Sequence, residues 1–497
     1  MPDNSDAPSP AEDRSPSFAM ALIPVVGLIV LLALAYLLFG DEAAAGPNQI
    51  ALLFCALMAT AVGWRLGFTM EEMREAAIES VNTGVTAIFI LLAVGSLIGT
   101  WAMSGTLMAM VYWGLMILSP DYFYMTTAII CAVVALCIGS SWTVAGTIGI
   151  GLMGVAQQIG LNPAITAGAV ISGAYFGDKS SPLSDATNLA AAAAAADLYA
   201  HIKAAFVTSV PTLVVTLVVL MLLGSPRDFD ATEITNAIAQ VFDVSFVPFI
   251  PLALVLVLAL TRWPPFTTIF LGALAGGVLA VFNQPDHVLA FVNEPELPVG
   301  LGLLKGVWMA MATGYESASG SEAVDQLLSR GGMESMLTTI WLILTALAFG
   351  GVIEKTRVLE TLLDPVVQAA KATWQMVAAL VVAGLGTNIL ASDQYIAIVL
   401  PGRMFRKVFL QRGLSRVAVS RTVGDSSTVT SALIPWNSCG AYMAATLGVA
   451  TINYAPYAIF NLLNPLVAIG LAALMPSLFQ QSRAGDPPKP DERPVEA

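Results

Sequence analysis

The chain has 497 residues, of which 57% are hydrophobic and only 11% carry a charge. Soluble domains carry about 25% charged residues, so this composition excludes a set of soluble domains and indicates one membrane domain with polar ends. The net charge of −13, with the excess acid outside the apolar segments, argues against a nucleic-acid partner. The four cysteines lie in apolar runs without paired spacing, so we expect neither a disulfide framework nor a zinc site.

The chain begins with a polar segment, 1–17, that is rich in Pro, Ser, Asp and Glu and is predicted to be disordered. The apolar run that follows, 18–39, is longer than the 7–15 residues or so of a signal peptide and lacks a basic start. We therefore expect a retained transmembrane helix at 18–39. The residues 481–497 form a polar C-terminal tail.

A membrane-spanning helix needs about 20 apolar residues, and the pattern predicts about 11–13 such helices. Shorter apolar pieces at 143–157 and 186–197 are predicted to be re-entrant, and the charged, amphipathic segments 70–82 and 355–372 to lie at the interface. Besides 18–39, the candidate spans are 49–69, 84–103, 106–119, 122–140, 163–177, 203–224, 246–260, 265–283, 333–353, 374–392, 430–450 and 455–480.

Orientation follows from basic residues in short loops, which stay on the cytoplasmic side. Six basic residues and no acidic residue lie between Gly402 and Arg421, so this segment is predicted to be a cytoplasmic loop. The glycines spaced between Gly139 and Gly154 fit either close helix packing or a re-entrant hairpin.

Three polar clusters interrupt the apolar pattern at membrane depth, and each contains aspartate. They are 177–188 with Asp178 and Asp185, 387–394 with Asp393, and 424–431 with Asp425. A helix N-cap at the interface is the alternative explanation for any single one of these acids. An ionisable group deep in a bilayer costs about 2.5–3.5 kcal/mol and usually marks an ion path, so the combination predicts an ion-binding site.

Neutral oxygen donors accompany these acids. Carboxylate, hydroxyl, amide and carbonyl oxygens suit a hard cation, so the chemistry favours sodium or a proton. We expect Asp178, Asp393 and Asp425 to supply the charge of one shared sodium site. The neutral ligands are predicted to be Thr187, Asn188, Ser392, Thr428, Ser431 and Asn437.

The sequence repeats itself weakly. Gly177-Asp178 and Gly424-Asp425 recur 247 residues apart, each followed by serines and preceded by another polar break. Broken segments at matching positions in two halves point to the binding site of a secondary transporter. We therefore predict an all-α, polytopic membrane protein with two inverted repeats, roughly 84–224 and 333–480, that contain broken or re-entrant segments.

The polar stretches resemble the NhaC family of sodium/proton antiporters. The matching segments are 172–185 with Thr187-Asn188-Leu189, 392–403 and 425–442, and the hydrophobic layout agrees over nearly the whole chain. Ser180 and Ala186 stand where the family pattern has Met and Thr. The resemblance implies an ion transporter of the cytoplasmic membrane, built from inverted repeats with re-entrant hairpins. The family also includes members that resemble sodium-coupled malate/lactate exchangers.

The mechanism expected from these residues is competition of sodium and a proton for buried carboxylates, coupled to alternating access. No P-loop is present, so we expect the ion gradient alone to drive exchange, with no cofactor. We expect sodium and the proton as substrates and membrane lipid as the surroundings, and by analogy we expect a homodimer. A sodium-coupled organic acid or amino-acid exchanger is the alternative, with Lys179 as the candidate cation for an anion site. An intramembrane aspartyl protease needs Gly-x-Gly-Asp, whereas Tyr175 and Thr422 stand at the first Gly positions, so we expect no enzyme.

Overall fold

The computed structural model of the chain describes residues 14–224, 235, 236, 238, 239, 244–317, 325 and 328–480. Throughout this part of the chain the regular structure is helical, with two isolated β-bridges. The first half contains α1 (Phe18–Phe39), α2 (Pro47–Arg65), α3 (Met70–Met103), α4 (Thr106–Ile117), α5 (Phe123–Ile138), α6 (Ser141–Val144), a π-helical turn (Ala145–Gly149), α7 (Ile150–Gln158), α8 (Pro163–Ser180), α9 (Asp185–Ala194) and α10 (Leu198–Leu223).

The remaining helices follow a segment that lies partly outside the described residues. They are α11 (Ile250–Leu260), α12 (Pro265–Asn283), α13 (Pro285–Val292), α14 (Val299–Ala312), α15 (Leu337–Lys355), α16 (Val358–Ala369), α17 (Thr373–Leu390), α18 (Gln394–Gln411), α19 (Arg416–Val423), a second π-helical turn (Gly424–Thr428), α20 (Ser438–Leu447), α21 (Thr451–Tyr454) and α22 (Ile459–Leu474). Short 3-10 turns lie at Gly40–Ala45, Pro120–Tyr122, Val247–Phe249, Glu334–Met336, Ser431–Leu433, Ala455–Tyr457 and Pro476–Phe479.

The fold is that of a polytopic all-α membrane protein, as predicted. Among the described residues, eight helices of at least 18 residues are apolar enough to cross a membrane. The pair Thr451–Tyr457 and Ile459–Leu474, bent by 55°, adds a ninth if it is one span. This number is below the predicted 11–13 because the prediction included shorter segments. Two of the predicted spans, 106–119 and 246–260, correspond to apolar helices of 10–17 residues that contain α4 and α11.

Several predicted boundaries are wrong. The predicted span 84–103 begins too late, because α3 runs without a break from Met70 to Met103. The basic segment 402–421 is mostly helical, within α18 and α19, rather than a loop. The predicted span 430–450 is interrupted, since helical structure stops at Leu433 and begins again at Ser438. The helix α14 is absent from the predicted spans. Of the segment 1–17 that is predicted to be disordered, residues 1–13 lie outside the described residues, as does the tail 481–497.

The helix α8 lies at the centre of the molecule. Every residue from Thr166 to Ser180 is buried, so this helix has no face toward lipid. It packs closely along α5, because a Cβ atom on Gly173 would lie 2.1 Å from a backbone oxygen of α5. By contrast, α1 and α10 expose large apolar side chains, as helices in contact with lipid do. Charged residues on α8 must therefore find their partners inside the protein.

The elements around the two Gly-Asp motifs follow the same order along the chain. In the first half, α5 ends at a break, α6 to α7 follow, α8 carries Asp178, and a second break precedes α9 and α10. In the second half, α17 ends at a break, α18 follows, the second π-helical turn carries Asp425, and another break precedes α20 and α22. Both halves thus bring two broken segments into the interior.

Candidate ion-binding site

The first-half site is built where two chain breaks meet. The helix α5 ends at Gly139, which adopts φ 78°, a conformation that favours glycine. A Cβ atom here would also lie only 2.6 Å from the carbonyl carbon of Leu183, in the break between α8 and α9. Serine caps start both following helices, because Ser140 accepts from the Thr143 backbone N–H and Ser184 from that of Thr187, each at 3.2 Å.

Asp178 joins these two breaks. Its carboxylate accepts hydrogen bonds from the Ser141 hydroxyl at 2.6 Å, from the Ser141 backbone N–H at 3.3 Å and from the Ser184 hydroxyl at 2.5 Å. The side chain is only 6% exposed. Because this carboxylate accepts hydrogen bonds from serines of both breaks, it holds the two breaks together.

Two predicted ligands, Thr187 and Asn188, make hydrogen bonds within the break between α8 and α9. The Thr187 hydroxyl is 3.0 Å from the carbonyl oxygens of both Asp178 and Lys179, where it can donate to either. The exposed Asn188 amide donates to the carbonyl oxygens of Pro182 and Ser184. Neither side chain lines the cavity described below.

Asp393 lies at the break between α17 and α18, which in chain order corresponds to the break after α5. It is the N-cap of α18, and its carboxylate accepts from the Ile396 backbone N–H at 2.9 Å. The capping explanation weighed for a lone aspartate therefore applies to it, yet the side chain is only 4% exposed and also lines the cavity. The preceding Ser392 adopts φ 60°, and its buried hydroxyl has no hydrogen-bond partner within the described chain.

A cavity of about 490 Å³ lies between these breaks. Three carboxylates, those of Asp178, Asp185 and Asp393, line it, and Asp185 is exposed. The lining also contains one cation, Arg262. Neutral polar and aromatic side chains complete much of the remaining wall: Ser140, Ser141, Trp142, Thr143, Trp263, Gln394, Tyr395, Ser438 and Cys439. The carboxylate, hydroxyl and amide oxygens among these side chains suit a hard cation.

Asp425 is not part of the cavity wall. It is fully buried in the second π-helical turn, where it forms an ion pair with Lys179. Its carboxylate also accepts from the Thr208 hydroxyl at 2.7 Å and from the Asn464 amide at 3.0 Å. The structure thus brings Asp178, Asp185 and Asp393 to one cavity and places Asp425 in a separate cluster. The sequence leaves open whether Lys179 neutralises Asp178 or reaches the surface. In the structure it pairs with Asp425.

The remaining predicted ligands belong to the second-half breaks. The Ser431 hydroxyl is 2.8 Å from the Thr428 carbonyl oxygen and 3.4 Å from the Gln394 side-chain oxygen. Asn437 caps α20 and donates its side-chain amide to the carbonyl and side-chain oxygens of Asn388. None of Thr428, Ser431 and Asn437 lines the cavity.

Sequence reasoning missed three cavity residues. Ser141 was visible as a polar break, but its pairing with Asp178 requires α6 and α8 to meet. Gln394 follows Asp393 directly, and nothing in the sequence separates it from the other polar residues of 387–394. Arg262 comes from outside the two repeat halves, and its signal is a lone base between the apolar helices α11 and α12.

Helices that break inside the protein, around a polar cavity with buried carboxylates, define the class of secondary transporters. The family model described as the Na+/H+ antiporter family matches residues 173–474. The chain belongs to this family, and with its eight or more apolar helices it is a multi-pass protein of the plasma membrane. The resemblance to NhaC is therefore confirmed.

Three curated relatives illustrate the range of the family. The chain is 35% identical to the Na(+)/H(+) antiporter NhaC of Alkalihalophilus pseudofirmus, over 85% of this chain and 89% of that protein. It is 33% identical to the arginine/ornithine antiporter ArcD of Halobacterium salinarum, over 92% of each chain. It is 31% identical to the malate-2H(+)/Na(+)-lactate antiporter of Bacillus subtilis, over 91% and 93% respectively.

Proposed function

We propose that the protein exchanges Na+ for H+ across the cytoplasmic membrane, and that the carboxylates of Asp178 and Asp393 hold either ion in the cavity. The observation that carries this proposal is Asp178, a buried carboxylate at the meeting point of two helix breaks, with hydroxyl groups on both sides. Such a group in a membrane protein is costly, and it is kept where an ion must bind.

The chemistry of the site favours competition between the two ions. A buried carboxylate holds a proton more firmly than one in water, whereas a bound cation displaces that proton. The hydroxyls of Ser141 and Ser184 now donate to Asp178, and their oxygens carry lone pairs that can face a cation. One ion therefore leaves as the other binds, which couples their movements.

Alternating access is the remaining part of the proposal. The same order of helices and breaks in the two halves supports inverted repeats at about 84–224 and 333–480. In such transporters the site lies at the interface of the repeats, and one repeat moves against the other around it. The cavity walls come from both halves, since Asp178 belongs to the first and Asp393 to the second.

A second candidate function is sodium-coupled exchange of an organic acid or amino acid. The cavity volume of about 490 Å³ favours it, because small-molecule sites occupy roughly 300–1,000 Å³ and a single sodium ion needs far less. Arg262 supplies the cation that a substrate carboxylate needs, in place of the predicted Lys179. The relatives named for arginine/ornithine and for malate/lactate transport add weight to this candidate.

Purified protein in liposomes with a trapped pH-sensitive dye separates the two candidates. Sodium added outside, with no organic solute, is expected to drive proton movement in liposomes that contain the protein and not in empty ones. Sodium-dependent proton movement that appears only with malate, lactate, arginine or ornithine would favour the second candidate. No response to sodium under any of these conditions would contradict both.

A further inference from the structure

A second set of buried charges lies beside the cavity, on the other side of the helix that carries Asp178. Lys179 is 1% exposed and pairs with the fully buried Asp425. The Lys179 ammonium also donates to the Ser209 hydroxyl at 2.8 Å and is 3.4 Å from the Asn464 side-chain oxygen. This ion pair therefore joins α8, α10, the second π-helical turn and α22.

The Lys179–Asp425 pair lies outside the cavity wall, although Lys179 directly follows the cavity residue Asp178 in the sequence. Within the described part of the chain, neither Lys179 nor Asp425 lines the cavity, and neither do Thr208, Ser209 and Asn464. Asp178 and Lys179 are consecutive residues near the end of one buried helix, and they make different contacts. A bound cation at Asp178 would thus lie close to a positive charge that it does not touch.

A second cation, Arg421, lies one helical turn before Asp425. Its Nε atom is 3.9 Å from the Asp425 carboxylate, and its guanidinium carbon lies 3.9 Å from the centre of the Phe479 ring. The Arg421 Nε and Nη2 atoms and the second Asp425 oxygen have no hydrogen-bond partner among the described residues. This contact is therefore electrostatic, without a hydrogen bond.

Asp178 adds its carboxylate to the buried charges of this region. Lys179 and Arg421 are two buried cations, and Asp425 alone offsets one of them. An ionised Asp178 supplies the second negative charge. Uncompensated charge inside a membrane protein is costly, so a cation bound at Asp178 and the buried cations Lys179 and Arg421 oppose each other. Any cation that binds at Asp178 then adds one net positive charge.

We propose that the Lys179–Asp425 pair, with Arg421, sets the sodium affinity of the cavity through its fixed charge, and that Lys179 and Asp425 are positioning residues and not ion carriers. This inference rests on the proposed role of Asp178 in cation binding. At an effective dielectric constant of about 20, a unit charge within about 12 Å changes binding of a cation by about tenfold or more. Consecutive Cα atoms are about 3.8 Å apart, so the side-chain charges of Asp178 and Lys179 are separated by at most roughly that range.

The direction in which the sodium KM changes distinguishes this electrostatic role from a structural one. Lys179→Met removes a positive charge while Arg421 remains beside Asp425, so the sodium KM is expected to fall about tenfold. Lys179→Arg with Asp425→Asn leaves a cation that cannot lose its proton, so the KM is expected to rise about tenfold. Lys179→Met with Asp425→Asn removes both charges and should return the KM towards that of the wild type.

The experiment measures the initial rate of sodium-driven proton movement in liposomes against sodium concentration, at one pH, for these variants. Detergent-solubilised samples must elute as single peaks. If the arginine variant does not fold, Lys179→Met and the double neutral variant still decide the question. A KM that falls in the first and recovers in the second supports the proposal. A KM that rises in Lys179→Met, stays unchanged, or is equal in both variants overturns it.

Asp178→Asn in the same assay keeps the two proposals apart. If Asp178→Asn exchanges sodium at the wild-type rate, the proposed function fails, whatever the KM values of the other variants. If it is inactive while the Lys179 and Asp425 variants show no opposite shifts, only the charge-pair inference fails.

Discussion

Asp178 and Asp425 occupy the same motif in the two halves of the chain and face different surroundings. Asp178 opens to a cavity and accepts from the serine hydroxyls of two chain breaks. Asp425 is enclosed by α10, α19 and α22 and accepts from a buried ammonium group. The two copies of the motif also differ at the next position, since Lys179 follows Asp178 whereas Ser426 follows Asp425. If the proposed function holds, the repeated motif supplies one residue to the cation site and another to a buried ion pair.

The largest effect is expected from neutralising the cavity aspartate. Asp178→Asn should reduce sodium-driven proton exchange by at least about a hundredfold, because the amide can hold neither ion as a carboxylate does. The measurement is the initial rate in liposomes. Asp185→Asn is the matched control: Asp185 lines the same cavity but is exposed, so its loss should change the rate less than about twofold. Equal effects of both variants would remove the distinction between the buried and the exposed carboxylate.

A smaller effect is expected from the hydroxyl that donates to Asp178. Ser141→Ala removes a hydroxyl oxygen whose lone pairs can face a cation at Asp178, a charged contact worth about 1.5–3 kcal/mol, so the sodium KM should rise about tenfold or more. Ser141→Thr keeps the hydroxyl and should stay close to the wild type. A KM unchanged in Ser141→Ala would show that this hydrogen bond does not contribute to the cation site.

The smallest effect is expected at the cation of the cavity wall. Arg262 is exposed, so solvent weakens its field, and Arg262→Gln should lower the sodium KM about threefold. Arg262→Lys keeps the charge and is the control. If the organic-solute function is correct, Arg262→Gln should also abolish the response to a carboxylate substrate, and an unchanged response would exclude Arg262 from that site.

Much of the fold and part of the site could be predicted from the sequence. The apolar runs located most spans, and the Ser-, Thr- and Asn-rich stretches located the breaks, because polar and helix-breaking residues at membrane depth have few structural uses. The boundaries of α3, α18 and α19 could not be predicted, because a charged segment beside an apolar run can be either a loop or an extension of the helix. Local composition does not decide between the two.

The partners of each aspartate depend on contacts between distant parts of the chain. Lys179 pairs with Asp425 because α10 and α22 bring Thr208, Ser209 and Asn464 around the same point, and no spacing in the sequence indicates this. The cation of the cavity, Arg262, comes from a segment between the halves. The sequence pattern therefore located the buried aspartates but not their division between the cavity and the Lys179–Asp425 cluster.

The most direct test of this account is sodium binding by purified protein, measured by calorimetric titration of two variants side by side. Asp178→Asn removes the carboxylate of the cavity, and Lys179→Met with Asp425→Asn removes the ion pair. The account predicts that the first variant loses measurable sodium binding and that the second binds sodium with an affinity near that of the wild type. Sodium binding that survives in Asp178→Asn and disappears in the double variant would contradict it.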